Sequence, residues 1–193
     1  GVDESGNPLK TETGRQYEIG LHYDLPNSDS MLSIALFDIE KNNIATSSLS
    51  VPGAFVQTGQ ARSRGIEIGG QWELPGNFSA ITSYTYLDTE ITEDPLNKGN
   101  ELPFAPRNMA SAWLKYDFIG NVLEGLSVAG GVRYIGERYS DNANIYKMDA
   151  YTLFDAALIY QKNDFKAALT ARNLFDTDYV SYCANSFLAT QAP

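Results

Sequence analysis

Long hydrophobic runs, cysteine, histidine and basic charge are all scarce in this chain of 193 residues. No run of about 18 consecutive apolar residues occurs, which excludes a transmembrane helix. The single cysteine, Cys183, cannot form a disulfide within the chain, and the single histidine, His22, cannot belong to a multi-histidine metal site. A net charge of -10 and a pI near 4.5 argue against nucleic acid as a partner, because phosphates require a basic surface.

Apolar and aromatic residues are nevertheless plentiful. They make up 43% and 12% of the chain, with 12 tyrosines, although the mean hydropathy is -0.28. A strand of a transmembrane barrel needs only about 9 to 11 residues with every second one apolar. Many tyrosines and alternating polarity are typical of an outer-membrane barrel, and a soluble β-sandwich would show them too.

Alternating polarity divides the chain into eight predicted strands. In the first, Tyr17, Ile19, Leu21 and Tyr23 alternate with polar residues, and the same period-2 pattern recurs later. The second strand has no clear apolar face in the sequence. The predicted strands are Thr13–Asp24, Met31–Ile44, Arg64–Leu74, Phe78–Thr92, Arg107–Ile119, Leu126–Tyr139, Tyr151–Gln161 and Phe165–Tyr179.

The connections between these strands alternate strictly between short and long. The long ones are predicted over 45–62, 93–106 and 141–149, and the short ones include Pro75-Gly76-Asn77 and Lys162-Asn163-Asp164. Brief periplasmic turns and longer extracellular loops are the pattern of bacterial outer-membrane barrels. The chain is therefore predicted to be all-β, forming part of an antiparallel transmembrane β-barrel whose backbone groups are paired within the protein.

Four segments of the chain resemble the motifs of one protein family, in the order that this family has them. Ala171-Arg172-Asn173-Leu174-Phe175-Asp176-Thr177-Asp178-Tyr179 is similar to an A-x-N-L-F-D-x-x-Y element. Lys10-Thr11-Glu12-Thr13 with Tyr17-Glu18-Ile19-Gly20 resembles P-E-T-x-x-x-Y-E-x-G, with Lys10 where proline is usual. Two further segments that match are Arg64-Gly65-Ile66-Glu67 and Phe104-Ala105-Pro106-Arg107-Asn108. The family that these segments resemble is that of the TonB-dependent outer-membrane receptors.

The resemblance implies a 22-stranded barrel with a plugged lumen, of which residues 1–193 would be the C-terminal part, with the last strand and the plug domain outside this chain. It implies TonB-coupled import of a ferric siderophore through the outer membrane of a bacterium, with outer-membrane lipid and, through the plug, the TonB complex as partners. The sequence around Asp155 and the run Tyr179-Val180-Ser181-Tyr182-Cys183 resemble those of the hydroxamate, or ferrichrome-type, branch of siderophore receptors. It also implies a disulfide from Cys183 to a cysteine beyond the chain. No cofactor is expected to bind this segment.

Candidate ligand contacts are the aromatic residues at or beyond the outer strand ends, where a receptor of this family gathers its ligand. A second set of rings is expected to anchor the barrel at the membrane interfaces. The ligand candidates are Phe55, Phe104, Tyr139, Tyr146 and Phe187. The interface set is Tyr17, Tyr23, Trp72, Trp113, Tyr116, Tyr134 and Tyr160.

Catalytic patterns have no support in the sequence, so no enzymatic activity is predicted. The acidic cluster Asp88, Glu90, Glu93 and Asp94 is typical of exposed loops. His22 could serve in a Ser-His-Asp triad, but the sequence has no G-x-S-x-G element to supply the serine. A wet lumen accounts for the charges expected on the inward face, which would pair across strands or meet the plug. These are Glu18, Glu67, Glu73, Arg133, Asp155 and Arg172.

Three alternatives to siderophore import remain at the level of the sequence. Another TonB-linked cargo, such as haem or cobalamin, would use the same architecture. A small passive eight-stranded outer-membrane barrel would need no plug, because its own side chains fill its interior. A soluble carbohydrate-binding β-sandwich is the third alternative, although its Greek-key crossings give no reason for short and long connections to alternate.

Overall fold

The computed structural model describes residues 1–47, 53, 55–120 and 122–182, and all of its named elements are strands. No helix in this part of the chain has the length and apolar character needed to cross a membrane. The strands are β1 (Thr13–Asp24), β2 (Met31–Ser47), β3 (Phe55–Leu74), β4 (Phe78–Glu93), β5 (Asn108–Asp117), β6 (Leu126–Ile135), β7 (Arg138–Tyr139), β8 (Lys147–Met148), β9 (Tyr151–Lys162) and β10 (Phe165–Ala171).

Eight of these strands form one antiparallel sheet in the order β1-β2-β3-β4-β5-β6-β9-β10, which confirms the four predicted hairpins. Strands β7 and β8 pair separately, so the predicted sixth strand ends at Ile135 rather than Tyr139. The sheet is open, since no pairing joins β1 to β10 among the described residues.

The predicted long loop over 45–62 is wrong. Strand β2 runs to Ser47 and β3 begins at Phe55, with pairing from Lys41↔Ala61 to Ser47↔Phe55 interrupted by bulges near Ile44. The bulges shift the register within this part of the hairpin, so its residues do not keep the strict period of two that predicts a strand.

Strand β10 is also shorter than predicted, ending at Ala171 rather than Tyr179. Asn173 and Asp176 both have positive φ angles, 53° and 52°, which a continuous strand cannot accommodate. The family-like segment at this end is therefore a turn that follows the strand.

One face of the sheet, here called the apolar face, carries Tyr17, Ile19, Leu21 and Tyr23 of β1. These side chains are 63%, 72%, 62% and 51% exposed, so nothing in the described part of the chain covers them. A sandwich would bury this face against a second sheet, which the described residues do not supply. The register also settles the face of β2, because Ile19 opposes Leu36, Leu21 opposes Ile34 and Tyr23 opposes Leu32.

The opposite face, here called the polar face, carries Glu18 and His22 of β1. Five of the six predicted inward charges lie on it, and the sixth, Arg172, follows the end of β10. Trp113 is a correction to the predicted interface set, since it opposes Gly131 in the row of Asp155 and so lies on the polar face. A Cβ on Gly131 would come within 2.4 Å of the Trp113 ring, so only glycine leaves room for it.

Charged residues replace the apolar ones on the apolar face beyond the row of Ile19 and Leu36. Two cross-strand rows form this charge ladder, Arg15-Glu40-Arg62-Glu90 and Asp38-Arg64-Asp88. Arg15 bonds to Glu40 at 3.1 Å, Arg64 bonds to Asp88 at 2.9 Å, and Arg62 bonds to Asp38. The ladder marks one limit of the apolar band, on the side of the sheet where the long connections lie.

Candidate functional site

The turn after β10 is fixed to the sheet by Asp155 of β9. The Asp155 carboxylate accepts hydrogen bonds from Arg133 of β6, at 2.6 and 3.0 Å, and from the backbone N–H of Asn173 at 2.9 Å. Its side chain is only 3% exposed. The Asn173 side chain closes the turn by accepting from the Thr177 N–H at 2.9 Å and donating to the Thr177 carbonyl at 3.1 Å. Asparagine serves here because it tolerates a left-handed backbone and bonds locally.

The segment that follows this turn, 177–182, is held by Arg138 of β7. The Arg138 side chain donates to the carbonyl oxygens of Val180 at 2.9 Å and Ser181 at 3.1 Å. Its guanidinium also lies over the Tyr151 ring, 5.4 Å from the centroid. Arg138 is only 5% exposed, which is unusual for arginine.

Phe104 lies in the second long loop with its backbone in the left-handed region, at φ 60°. A bulky side chain avoids this conformation, and such strained residues concentrate at functional sites. Its N–H donates to the Tyr139 carbonyl at 2.7 Å, and its ring stacks on Tyr182 with centroids 4.9 Å apart and planes 22° from parallel.

Asparagine side chains join the second and third long loops to each other. Asn144 accepts from the Glu101 N–H at 2.7 Å and donates to the Glu101 carbonyl at 3.0 Å, while Asn100 donates to the Asn142 carbonyl at 2.9 Å. Residues 94–107, 136–150 and 172–182 therefore form one hydrogen-bonded unit, here called the outer loop cluster.

A cavity of about 480 Å³ opens between the third loop and the segment after β10. This volume falls in the range of small-molecule sites. Tyr151 and Tyr179 pack together at its wall with ring centroids 4.4 Å apart. Its lining includes Tyr146, Lys147, Tyr151, Asp178, Tyr179 and Val180.

Two cations of the outer loop cluster are matched by carboxylates. Arg107 pairs with Glu101 and Lys147 with Glu137, each at 2.7 Å. The hydrogen bond that Lys147 donates to the Glu137 carboxylate raises the pKa of Lys147 above its usual value. These two cations are therefore already partnered and do not make a strongly basic pocket.

The structure brings together three of the five predicted ligand candidates. Phe104, Tyr139 and Tyr146 lie in the outer loop cluster, with the Ser140 N–H bonded to the Tyr146 carbonyl at 2.9 Å. Phe55 lies instead at the start of β3, where its N–H bonds to the Val2 carbonyl at 3.0 Å. Phe187 and Cys183 lie outside the described residues.

Sequence reasoning missed three rings at this site, Tyr151 beside the cluster and Tyr179 and Tyr182 within it. The sequence predicts Tyr151 only as the first residue of a strand and Tyr179 as the last residue of one, and Tyr182 stands only in a family-like run. The signal that could have found the last two is the density of tyrosine around 179–182.

The residues of the acidic cluster do not converge on one point, and three of them, Asp88, Glu90 and Glu93, lie on β4 rather than in a loop. Asp88 bonds to Arg64, whereas Asp94 accepts hydrogen bonds from the N–H groups of Leu96 and Asn97 at 2.9 and 2.7 Å. Within the described residues, no group of three potential ligands is placed to hold a metal ion. His22 lies 3.0 Å from Asp24, and both residues are exposed on β1.

Residues of the family-like segments make specific local contacts in this fold. A Cβ on Gly65 would approach the Tyr86 carbonyl to 2.2 Å and the Phe37 ring to 2.8 Å. Lys10, which replaces proline, donates its N–H to the Gln57 side chain, a bond that proline cannot make. Asn108 accepts from the Tyr84 hydroxyl at 2.8 Å.

The profile of the family described as "TonB dependent receptor-like, beta-barrel" matches residues 1–174. The chain belongs to this family. Members are outer-membrane β-barrel proteins, and the chain is accordingly a barrel segment of the bacterial outer membrane. The exposed apolar face is the surface that such a barrel presents to lipid.

Named relatives are siderophore receptors. The chain is 34% identical over 191 residues to the ferrichrome outer membrane transporter/phage receptor of Escherichia coli K12, covering 96% of this chain and 26% of that protein. It is 35% identical over 188 residues to the ferrioxamine B receptor of Salmonella typhimurium, covering 94% and 27%. The chain thus spans about a quarter of the length of these relatives.

A solved structure shows the same fold. The siderophore receptor PiuA from Acinetobacter baumannii matches with a TM-score of 0.73 and 28% identity, over 88% of this chain and 25% of that one. The relatives are receptors and transporters rather than enzymes.

Proposed function

We propose that this chain is the C-terminal part of the barrel of a receptor that imports a ferric siderophore of the hydroxamate type, driven by the TonB complex. The observation that carries the proposal is the outer loop cluster, an ordered aromatic surface at one end of a lipid-facing sheet. Relatives named for ferrichrome and ferrioxamine support the choice of cargo.

The chemistry of the outer loop cluster suits such a cargo. A ferric hydroxamate is compact and nearly neutral, so rings and a few hydrogen-bond donors can hold it without a basic pocket. Phe104 and Tyr146 are 38% and 52% exposed and available for contact, whereas Arg107 and Lys147 are engaged by glutamates. We propose Phe55, Phe104, Tyr139, Tyr146 and Phe187 as the aromatic contacts, with Phe104 and Tyr146 the strongest.

The polar face of the sheet would meet the plug. Glu18 and Glu67 lie on this face, and Glu67 is paired in register with Ala35 and Thr85, which are too small to cover it. Carboxylates that face a lumen in this way can pair with cations of a plug domain. The TonB complex would then act on the plug to release the ligand inward, and no catalytic step is required.

We propose that Cys183 lies in an extracellular loop and forms a disulfide with a second cysteine of the complete receptor, because the environment there is oxidising. Thiol labelling of the denatured, intact receptor with and without reductant tests this. Labelling without reductant would show that the cysteine is free.

Growth on single iron sources tests the function. A host with the receptor deleted and then restored should use ferrichrome or ferrioxamine B only when the receptor is present, and only with a functional TonB complex. Haem and cobalamin serve as comparison cargoes. Dependence on the receptor for one of these, with no effect on any ferric chelate, would overturn the siderophore proposal and leave the barrel intact.

A further inference from the structure

Arg138 carries a set of contacts that neither the barrel nor the proposed ligand contacts require. Its guanidinium is buried and donates hydrogen bonds to backbone carbonyls of two segments that are far apart in the sequence. One carbonyl is that of nearby Gly136, at 3.5 Å, and the others belong to Val180 and Ser181, more than forty positions away. The residue therefore joins the β6 to β9 connection to the segment that leaves the sheet after β10.

The joined segment supplies two surfaces of the outer loop cluster. Asp178, Tyr179 and Val180 form one wall of the 480 Å³ cavity, opposite residues of the third loop. Tyr182, two residues beyond Val180, stacks on Phe104. Both surfaces lie beyond the last strand of the described sheet, so no ladder of backbone hydrogen bonds fixes their position.

Arginine is suited to this task. Its planar guanidinium presents several donors in a fixed fork, so one side chain can bond to successive carbonyls while its flat face stacks on an aromatic ring. Lysine keeps the charge but offers neither the fork nor the planar face. The Tyr151 ring under the guanidinium also contacts Tyr179. The segment is therefore held both by the carbonyl hydrogen bonds of Arg138 and by the ring contact between Tyr151 and Tyr179.

We propose that Arg138 is a positioning residue for ligand capture. It holds residues 179–182 so that Tyr179 closes the cavity and Tyr182 lies against Phe104, although its own buried side chain does not reach the ligand. The inference deepens the proposed function, and the part concerning the position of 179–182 stands independently of it.

The test uses the complete receptor, purified in detergent, with Arg138→Lys and Arg138→Gln as variants. Hydrogen–deuterium exchange of peptides covering 179–182 and 104 should become at least about tenfold faster in both, while exchange in β6 and β9 stays within about twofold of the wild type. Binding of ferrichrome and ferrioxamine B should weaken by about tenfold or more. Arg15→Lys, which changes an exposed arginine outside the cluster that pairs with Glu40 and lies over the Tyr17 ring, should alter neither quantity.

A second variant covers the case in which the Arg138 variants do not fold. Tyr151→Leu removes the ring between Arg138 and Tyr179 while leaving the arginine in place, and it should speed exchange in the same peptides by several fold. Unchanged exchange of 179–182 in folded variants would overturn the proposal. A wild-type receptor that binds neither chelate would contradict the proposed function instead, and the exchange measurement would still decide the role of Arg138.

Discussion

At the scale of single residues, Phe104 of the outer loop cluster combines an unfavourable backbone conformation with a specific ring contact. Phe104 holds a left-handed backbone and at the same time presents a ring to Tyr182. The backbone conformation favours glycine, whereas capture of a chelate favours an aromatic side chain. An aromatic residue at this position indicates that the contacts of its ring offset the conformational strain of the backbone.

Replacing Phe104 separates these two demands. Phe104→Ala and Phe104→Gly both remove the ring, so each should weaken binding of a ferric hydroxamate by about 1 to 3 kcal/mol. Glycine also relieves the backbone, so Phe104→Gly should be more stable than Phe104→Ala by about 1 kcal/mol. Titration with ferrichrome and the midpoint of chemical denaturation measure the two effects. Equal binding by the wild type and both variants would remove Phe104 from the proposed contacts.

Asp155 makes a second residue-scale prediction, because it accepts hydrogen bonds from β6 and from the turn after β10 while only 3% exposed. Asp155→Asn keeps the shape but turns an acceptor into a donor facing Arg133. We expect a loss of about 1 to 3 kcal/mol of stability, since Arg133 remains 40% exposed and can rehydrate.

Asp88→Asn is the matched control, since Asp88 bonds to Arg64 on the exposed charge ladder. Exposed pairs contribute little, and we expect a change within about 0.5 kcal/mol. If denaturation midpoints fall equally in the two variants, the burial of Asp155 is not what makes it important.

At the scale of elements, the sequence predicted strands where apolar and polar residues alternate and failed where that alternation is interrupted. Strand β1 has the predicted bounds because Tyr17 to Tyr23 alternate without interruption. The outer end of the β2–β3 hairpin is predicted as a loop instead, because bulges near Ile44 shift the register and break the period of two.

The candidate site shows the same division. Phe104 and Tyr146 could be named from the sequence because aromatic residues in predicted outer loops are few. The role of Arg138 could not, since it depends on carbonyls of Val180 and Ser181 that only the fold brings near. Trp113 was assigned to the wrong face because aromatic character alone does not say which side of a strand a ring occupies.

The apolar face makes the element-scale prediction. Leu158 of β9 lies on it, 44% exposed, in a row with Val128 and Leu169. Leu158→Arg should reduce stability in a lipid bilayer by roughly 1 to 3 kcal/mol, because the charge would have to enter the hydrocarbon or bend away from it. Gln161→Arg adds the same side chain to the polar face close by and should be tolerated. Equal folding yields of the two variants into lipid vesicles would argue that Leu158 does not face lipid.

At the scale of the whole molecule, the two ends of the sheet are its most informative feature. Within the described residues, strands β1 and β10 each pair on one side only, and every residue along both is exposed. In a membrane the unpaired backbone groups of such edges would cost several kcal/mol each, because hydrocarbon offers no hydrogen-bonding partner. The two edges therefore need partners in a membrane, which we propose are further strands of a larger barrel.

Residues 1–193 expressed alone should consequently fail to form a stable monomeric barrel in detergent, since their open edges favour aggregation or association. The measurement is heat-modifiable migration on a gel, in which a closed barrel runs as a compact species until it is boiled. The complete receptor provides the control and should show the shift, while the isolated segment should not. A compact, heat-modifiable monomer of the segment would favour the small eight-stranded barrel, and it would mean that β1 and β10 can pair directly.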